Sequence, residues 1–330
     1  MEKNPTEFLE PSQLQLNNLL KYYQTKQYDK AEKLAVSITK EFPKHPFTWK
    51  VLAVVLKQNG RIEESLAASK KSVQLNPKDA EAYYNLGIVM QDLGKLDEAE
   101  TVYKKAITLK PDHKAHNNLG IVMQDLRRLD EAEANYKKAI AMKPDFVQAI
   151  KNRWLLLFSQ KKFEEALLDA DLCISKGSRQ LDLTTLYALG RIDEIYKRLE
   201  VRSKIDSENI SIAAFASFIA EVEKKETAYN FCPNPIDFVH HANLSTHIND
   251  SNSFISELIN ELDNVKKIWQ PSKKTTVGGF QTLTGHNLFK SPIGKVEQLK
   301  SIIINELDVY HKKYSNKSCS YIKKWPFQNY

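Results

Sequence analysis

A nine-residue string written twice constrains this chain more than any other feature. Asn85-Leu86-Gly87-Ile88-Val89-Met90-Gln91-Asp92-Leu93 recurs letter for letter from Asn118 to Leu126. Each copy is followed by Leu-Asp-Glu-Ala-Glu (Leu96 to Glu100, Leu129 to Glu133) and then by Tyr-Lys-Lys-Ala-Ile (Tyr103 to Ile107, Tyr136 to Ile140). Prolines punctuate the same stretch at Pro43, Pro77, Pro111 and Pro144, spaced 34, 34 and 33 residues apart. A fixed period of this length marks stacked supersecondary units, none of which buries its apolar face alone.

Each recurring residue has a physical task. Gly87 with Ala99, and Gly120 with Ala132, are small enough to let two antiparallel helices approach, as are Ala53 and Ala166 in neighbouring units. Trp49, Leu52, Tyr83, Leu86, Tyr103, Leu119 and Tyr136 are expected to fill the space between hairpins. Gly60 and Gly94 end the first helix of their units, where a left-handed residue costs glycine little. The prolines stop the second helix of each unit.

These motifs closely resemble the tetratricopeptide repeat. The resemblance implies a mainly α fold, an α-solenoid of helical hairpins. Units are expected at about 12–45, 46–79, 80–113, 114–146 and 147–178. The fifth departs most, with Arg153-Trp154 where two earlier units have Leu-Gly, but it keeps Phe163-Glu164-Glu165-Ala166. A degenerate hairpin follows at 181–203 (Leu181 to Leu189, Ile192 to Val201, joined at Gly190) and would cap the stack. The array is thus expected over 1–204, with a helical linker or cap at 205–228 (helix Ile210 to Glu223). Pro111 to Leu119 is one residue shorter than Pro77 to Leu86, which predicts a late or irregular start to the fourth unit's first helix.

In the resembled family the first helix of each unit lines a concave face, and its sixth residue points into the groove. Those residues here are Asn17, Val51, Asn85, Asn118 (fifth in a unit one residue shorter) and Asn152. A carboxamide both donates and accepts, so it can pair with a peptide unit on both sides. The arrangement is similar to the asparagine ladder in the repeat region of protein O-glycosyltransferases. It implies an extended peptide or partner protein gripped by its backbone. Tyr84, Gln91, Asp92, Gln124 and Asp125 complete the candidate groove. The alternative is that these residues serve hairpin packing or solvate the face. The lysine–asparagine clamp of repeat domains that bind chaperone tails is absent, because Leu16 and Leu20 stand at its places in the first unit.

Beyond Val201 the period stops. Region 229–330 reads as a loop at Cys232-Pro233-Asn234-Pro235-Ile236, a strand from Asp237 to Leu244, and a helix from Phe254 to Ile268. An extended segment from Val277, a second helix from Val296 to Tyr314 and a further strand from Ser320 to Phe327 follow. Val277-Gly278-Gly279-Phe280-Gln281 followed by Leu288-Phe289 resembles the opening part of a family of iron(II)/2-oxoglutarate oxygenases. That would make the region a small, incomplete α/β segment, and the repeats a substrate-recruiting part of an oxygenase acting on a protein. Such enzymes bind iron with two histidines and usually one carboxylate. None of His45, His113, His116, His240, His241, His247, His286 and His311 has Asp or Glu two residues on. No catalytic residue and no metal ligand is therefore expected, and iron(II) and 2-oxoglutarate would be cofactors only if an oxygenase core follows Tyr330. The rival reading makes His240, His241, His247 and His286 a separate metal site.

Composition bounds the remaining classes. Three widely spaced cysteines (Cys173, Cys232, Cys319) give neither a disulfide framework nor a metal motif. Apolar runs such as Trp154 to Phe158 are too short to span a bilayer, and no secretory signal follows Met1. A net charge of +7 without arginines interleaved with aromatics argues for solvated lysine faces rather than nucleic acid. The expectation is a cytoplasmic protein-binding scaffold that contacts neither membrane nor nucleic acid, of unknown oligomeric state.

Overall fold

The computed structural model describes residues 10–174, 180–205, 209–228, 239–265, 267–270, 279–282, 289 and 292–317. They fall into two compact units, 1–161 and 162–330. The first unit is a run of antiparallel helices: α1 (Gln13–Gln24), α2 (Tyr28–Glu41), α3 (Pro46–Gln58), α4 (Ile62–Leu75), α5 (Ala80–Asp92), α6 (Leu96–Leu109), α7 (His113–Asp125), α8 (Leu129–Met142) and α9 (Val147–Ser159).

One backbone device makes every hairpin turn. A single left-handed residue follows the first helix: Lys26 (φ 58°), Gly60 (78°), Gly94 (72°), Arg127 (64°) and Lys161 (60°). The next N–H then folds back onto the helix. Gln27 donates to the Tyr22 carbonyl, Arg61 to Leu56, Lys95 to Met90 and Arg128 to Met123, each at 2.9 Å. These bonds satisfy carbonyls that the helix end would otherwise orphan. Glycine holds the position in two of the five turns, and elsewhere a basic residue accepts the strain.

The residue missing after Pro111 is absorbed by the loop, not by the helix. α7 has 13 residues, as α5 does. Its cap, Asp112, directly follows the proline and accepts from the N–H groups of Lys114 (2.8 Å) and Ala115 (3.2 Å). Asp79 caps α5 in the same way, through Glu81 and Ala82. The expected late start is thus corrected, because a shorter loop costs less than a lost helical turn.

The role expected of Gly87 also changes. A Cβ there would lie 2.6 Å from the Tyr103 ring, and one at Gly120 would lie 2.6 Å from the Tyr136 ring. The glycines admit a tyrosine of their own hairpin's second helix. Tyr103 and Tyr136 are fully buried within a core formed by Leu66, Leu86, Val89, Leu119, Val122, Met123 and Leu156. A second core joins Leu19, Ala31, Ala35, Ile38, Val51, Leu52 and Val55.

The second unit comprises α10 (Phe163–Ile174), α11 (Leu181–Ala188), α12 (Ile192–Ile205), α13 (Ile210–Glu223), α14 (Ser251–Asp263), β1 (Lys267–Gln270), β2 (Gly279–Thr282) and α15 (Gly294–Tyr314). Leu183, Leu186, Ile195, Leu199, Ile212, Ala216 and Ile219 form its core. The buried Asp182 accepts from Arg198 (2.8 Å) and Arg202 (2.6 Å). Glu261 on α14 accepts from the Lys295 N–H at 2.7 Å and so caps α15, a favourable place for a carboxylate.

Two expectations for the tail need correction. The described part of the expected strand 237–244 holds no strand: residues 239–243 are irregular, and Leu244–Thr246 is a 3-10 turn capped by Asn243. The helix expected to reach Ile268 stops at Asp263, because Asn264 ends it and Lys267–Gln270 pairs instead as β1. β1 and β2 are antiparallel, with Ile268 opposite Gln281 and Trp269 opposite Phe280. The loop at Cys232, residues Val277, Gly278 and Leu288, His286 and the expected strand from Ser320 lie outside the described residues.

Candidate functional site

The first helices α1, α3, α5, α7 and α9 contact their counterparts in neighbouring hairpins. They therefore form the inner layer of the first unit, and the candidate groove residues sit along its seams.

A chain of side-chain hydrogen bonds runs through that layer. Gln148 Nε2 donates to Asn152 Oδ1 (3.1 Å), and Asn152 Nδ2 donates to Asn117 Oδ1 (2.9 Å). Asn117 Nδ2 donates to Asn118 Oδ1 (3.1 Å). Asn118 Nδ2 in turn reaches the hydroxyls of Tyr103 (3.3 Å) and Tyr84 (3.4 Å). The chain links α9, α7, α5 and α6. Burial pushes the Tyr103 and Tyr136 hydroxyls well above the ordinary phenol range, so they stay neutral donors.

The structure divides the expected groove residues into groups. Asn118 and Asn152 belong to the chain, and Tyr84 lies at its end. Gln91 and Gln124 accept from Tyr103 (3.1 Å) and Tyr136 (3.0 Å), which ties their carbonyl oxygens into the hairpins. Asp92 pairs with Lys57 across the seam between α3 and α5 at 3.0 Å. Asp125 is half-buried, and its charge adds to the rise at Tyr136. Asn17 is exposed and accepts from Gln13 on its own helix. Val51 is a core residue. Asn117 was missed by the sequence reading, although its place beside Asn118, where the preceding unit has Tyr84, was a visible signal.

Asn85 is placed differently. It lines a cavity of about 190 Å³ with Tyr23, Ala53, Val54, Lys57, Gln58, Ser69, Ile88 and Val89. Ser69 is buried, and its hydroxyl has no hydrogen-bond partner among the described residues.

In the second unit, His240 and His247 both meet the Glu306 carboxylate, at 2.7 and 2.5 Å. These contacts hold Glu306 below the usual carboxylate range, His240 contributing most. His241 is exposed. No group of three metal-ligating side chains stands together among the described residues. Nor is any described helix long and apolar enough to cross a membrane.

Two family models match the chain: tetratricopeptide repeats at residues 79–145 and again at residues 55–94. Among solved structures, the type IV pilus biogenesis factor PilW is 19% identical, with a TM-score of 0.53, over 62% of this chain and 99% of that one. Pseudomonas aeruginosa pilF is 16% identical, with a TM-score of 0.52, over 62% of this chain and 96% of that one. At that identity they share the fold alone. The transcription factor tau subunit sfc4 of Schizosaccharomyces pombe is 33% identical over 92 residues, 27% of this chain but only 9% of that protein. The chain between residues 55 and 145 is made of tetratricopeptide repeats, and the fold they build is a tetratricopeptide α-solenoid, the architecture of a protein-interaction scaffold.

Proposed function

We propose that the inner layer of the first unit binds an extended peptide segment of a partner protein by its backbone. The observation that carries this reading is the carboxamide chain from Gln148 to Asn118. Its amides are held in place by neighbours and by buried hydroxyls, so little side-chain entropy is lost when a ligand pairs with them. One N–H of Asn152 and one lone pair of its oxygen lie outside the chain, which leaves a donor and an acceptor side by side. Asn85, on the neighbouring helix α5, adds a further half-buried carboxamide. Backbone pairing of this kind favours extended segments and tolerates varied side chains.

The test is direct. Extended peptides of varied sequence are screened against the full chain, and a bound peptide is titrated into wild type and Asn85→Ala by fluorescence anisotropy. One lost net hydrogen bond weakens binding about fivefold. Equal affinity for both proteins would contradict the assignment of Asn85 to the groove.

A further inference from the structure

Aligned on their left-handed turn residues, three of the first unit's hairpins place one large and one small residue at equivalent positions seven before and nine after the turn. In the first hairpin these are Leu19 and Ala35, both buried in one core; in the third they are Gly87 and Tyr103; in the fourth they are Gly120 and Tyr136. The second hairpin breaks the rule, because Ala53 stands opposite Ser69 and both are small. The cavity of about 190 Å³ lies where the rule fails. Ala53, Val54, Ile88 and Val89 wall it; Ser69 stands where Cβ of a packed tyrosine would begin; Lys57 and Asn85 occupy the places of Gln91 and Asn118, which surround the Tyr103 hydroxyl.

We infer that this slot receives a tyrosine side chain of the bound peptide, inserted from the groove with its hydroxyl against Ser69. The inference rests on the peptide-groove reading and gives that groove a side-chain preference. Three features point to a phenol. The same surroundings hold a tyrosine ring in the next two hairpins. A cavity of about 150 Å³ is enough to admit benzene, so a single ring fits. The Ser69 hydroxyl, 2% exposed and without a hydrogen-bond partner among the described residues, offers a donor and an acceptor where the ring would end. An aliphatic side chain would leave that hydroxyl unpaired, which a buried polar group tolerates poorly.

The test uses p-cresol, the tyrosine side chain itself, with toluene as its apolar counterpart. Each is titrated into the full chain while methyl resonances of Ala53, Val54, Ile88 and Val89 are followed by NMR. The expected result is saturable shifts at these methyls, with p-cresol preferred over toluene about fivefold. Ser69→Ala should abolish that preference and keep the binding. The double change Ala53→Gly with Ser69→Tyr rebuilds the Gly87–Tyr103 pair and should abolish binding of both compounds. Ser69→Tyr alone is unsuitable, since a Cβ at the equivalent Gly87 would lie 2.6 Å from the ring. Methyls that do not shift, shifts that survive in a folded double variant, or toluene binding as well as p-cresol would each overturn the inference. Because p-cresol needs no peptide, its failure to bind leaves the backbone-gripping reading standing. Conversely, p-cresol binding without peptide binding would retain the slot and remove the groove.

Discussion

Tyr103 and Tyr136 show how much of this molecule is decided by single side chains. Each ring lies on a glycine, is sealed by the core and ends on a glutamine carbonyl. Gly87→Leu therefore does more than crowd a helix pair; it displaces a buried tyrosine and breaks its bond to Gln91. Overpacking of this kind costs about 1–3 kcal/mol, so chemical denaturation should show Gly87→Leu destabilised by at least that amount. A variant as stable as wild type would mean that the ring moves aside freely. The sequence singled out Gly87 as a close-approach position facing Ala99 but did not reveal that the Tyr103 ring lies on it. Both candidates, Ala99 and Tyr103, are on the same helix, and composition does not distinguish them. Asn118 was legible as a polar inner residue, but its partner Asn117 was not. The two are neighbours on α7, and their rotamers are set by Asn152 on α9 and by the Tyr84 and Tyr103 hydroxyls, contacts that no repeat period encodes.

Among the elements, the first-unit hairpins were legible because their signals are local. Prolines, paired glycines and a recurring Leu-Asp-Glu-Ala mark helix ends within a few residues of the observed bounds. The turn itself was legible only where glycine occupies it. At Arg127 (φ 64°) an arginine takes the same left-handed conformation, which costs an L-residue about 1–2 kcal/mol. Glycine removes that strain but adds freedom to the unfolded chain. Arg127→Gly should consequently raise stability by up to about 1 kcal/mol, read as a higher denaturation midpoint. A lower midpoint would show that the arginine makes a stabilising contact larger than its strain. The tail was less legible. Residues 237–244 read as a strand, yet within their described part the Asn243 side chain caps a 3-10 turn that begins at Leu244. Lys267 and Ile268 were expected to end a helix, yet Lys267–Gln270 is a strand, because β2 supplies a partner from later in the sequence.

For the whole molecule, the function we propose is that the inner face of the tetratricopeptide array grips an extended peptide through carboxamides. The repeats made the fold readable and left the ligand open, since many partners are compatible with one solenoid. The most direct measurement is NMR of the side-chain amide groups while a peptide selected by the full chain is titrated in. If the inner face binds peptide in this way, the NH2 resonances of Asn85, Asn118 and Asn152 shift together and saturate, while those of Asn59 and Asn76, at the ends of α3 and α4, stay in place. Shifts confined to residues outside the inner layer, with the three carboxamides unmoved at saturation, would contradict it.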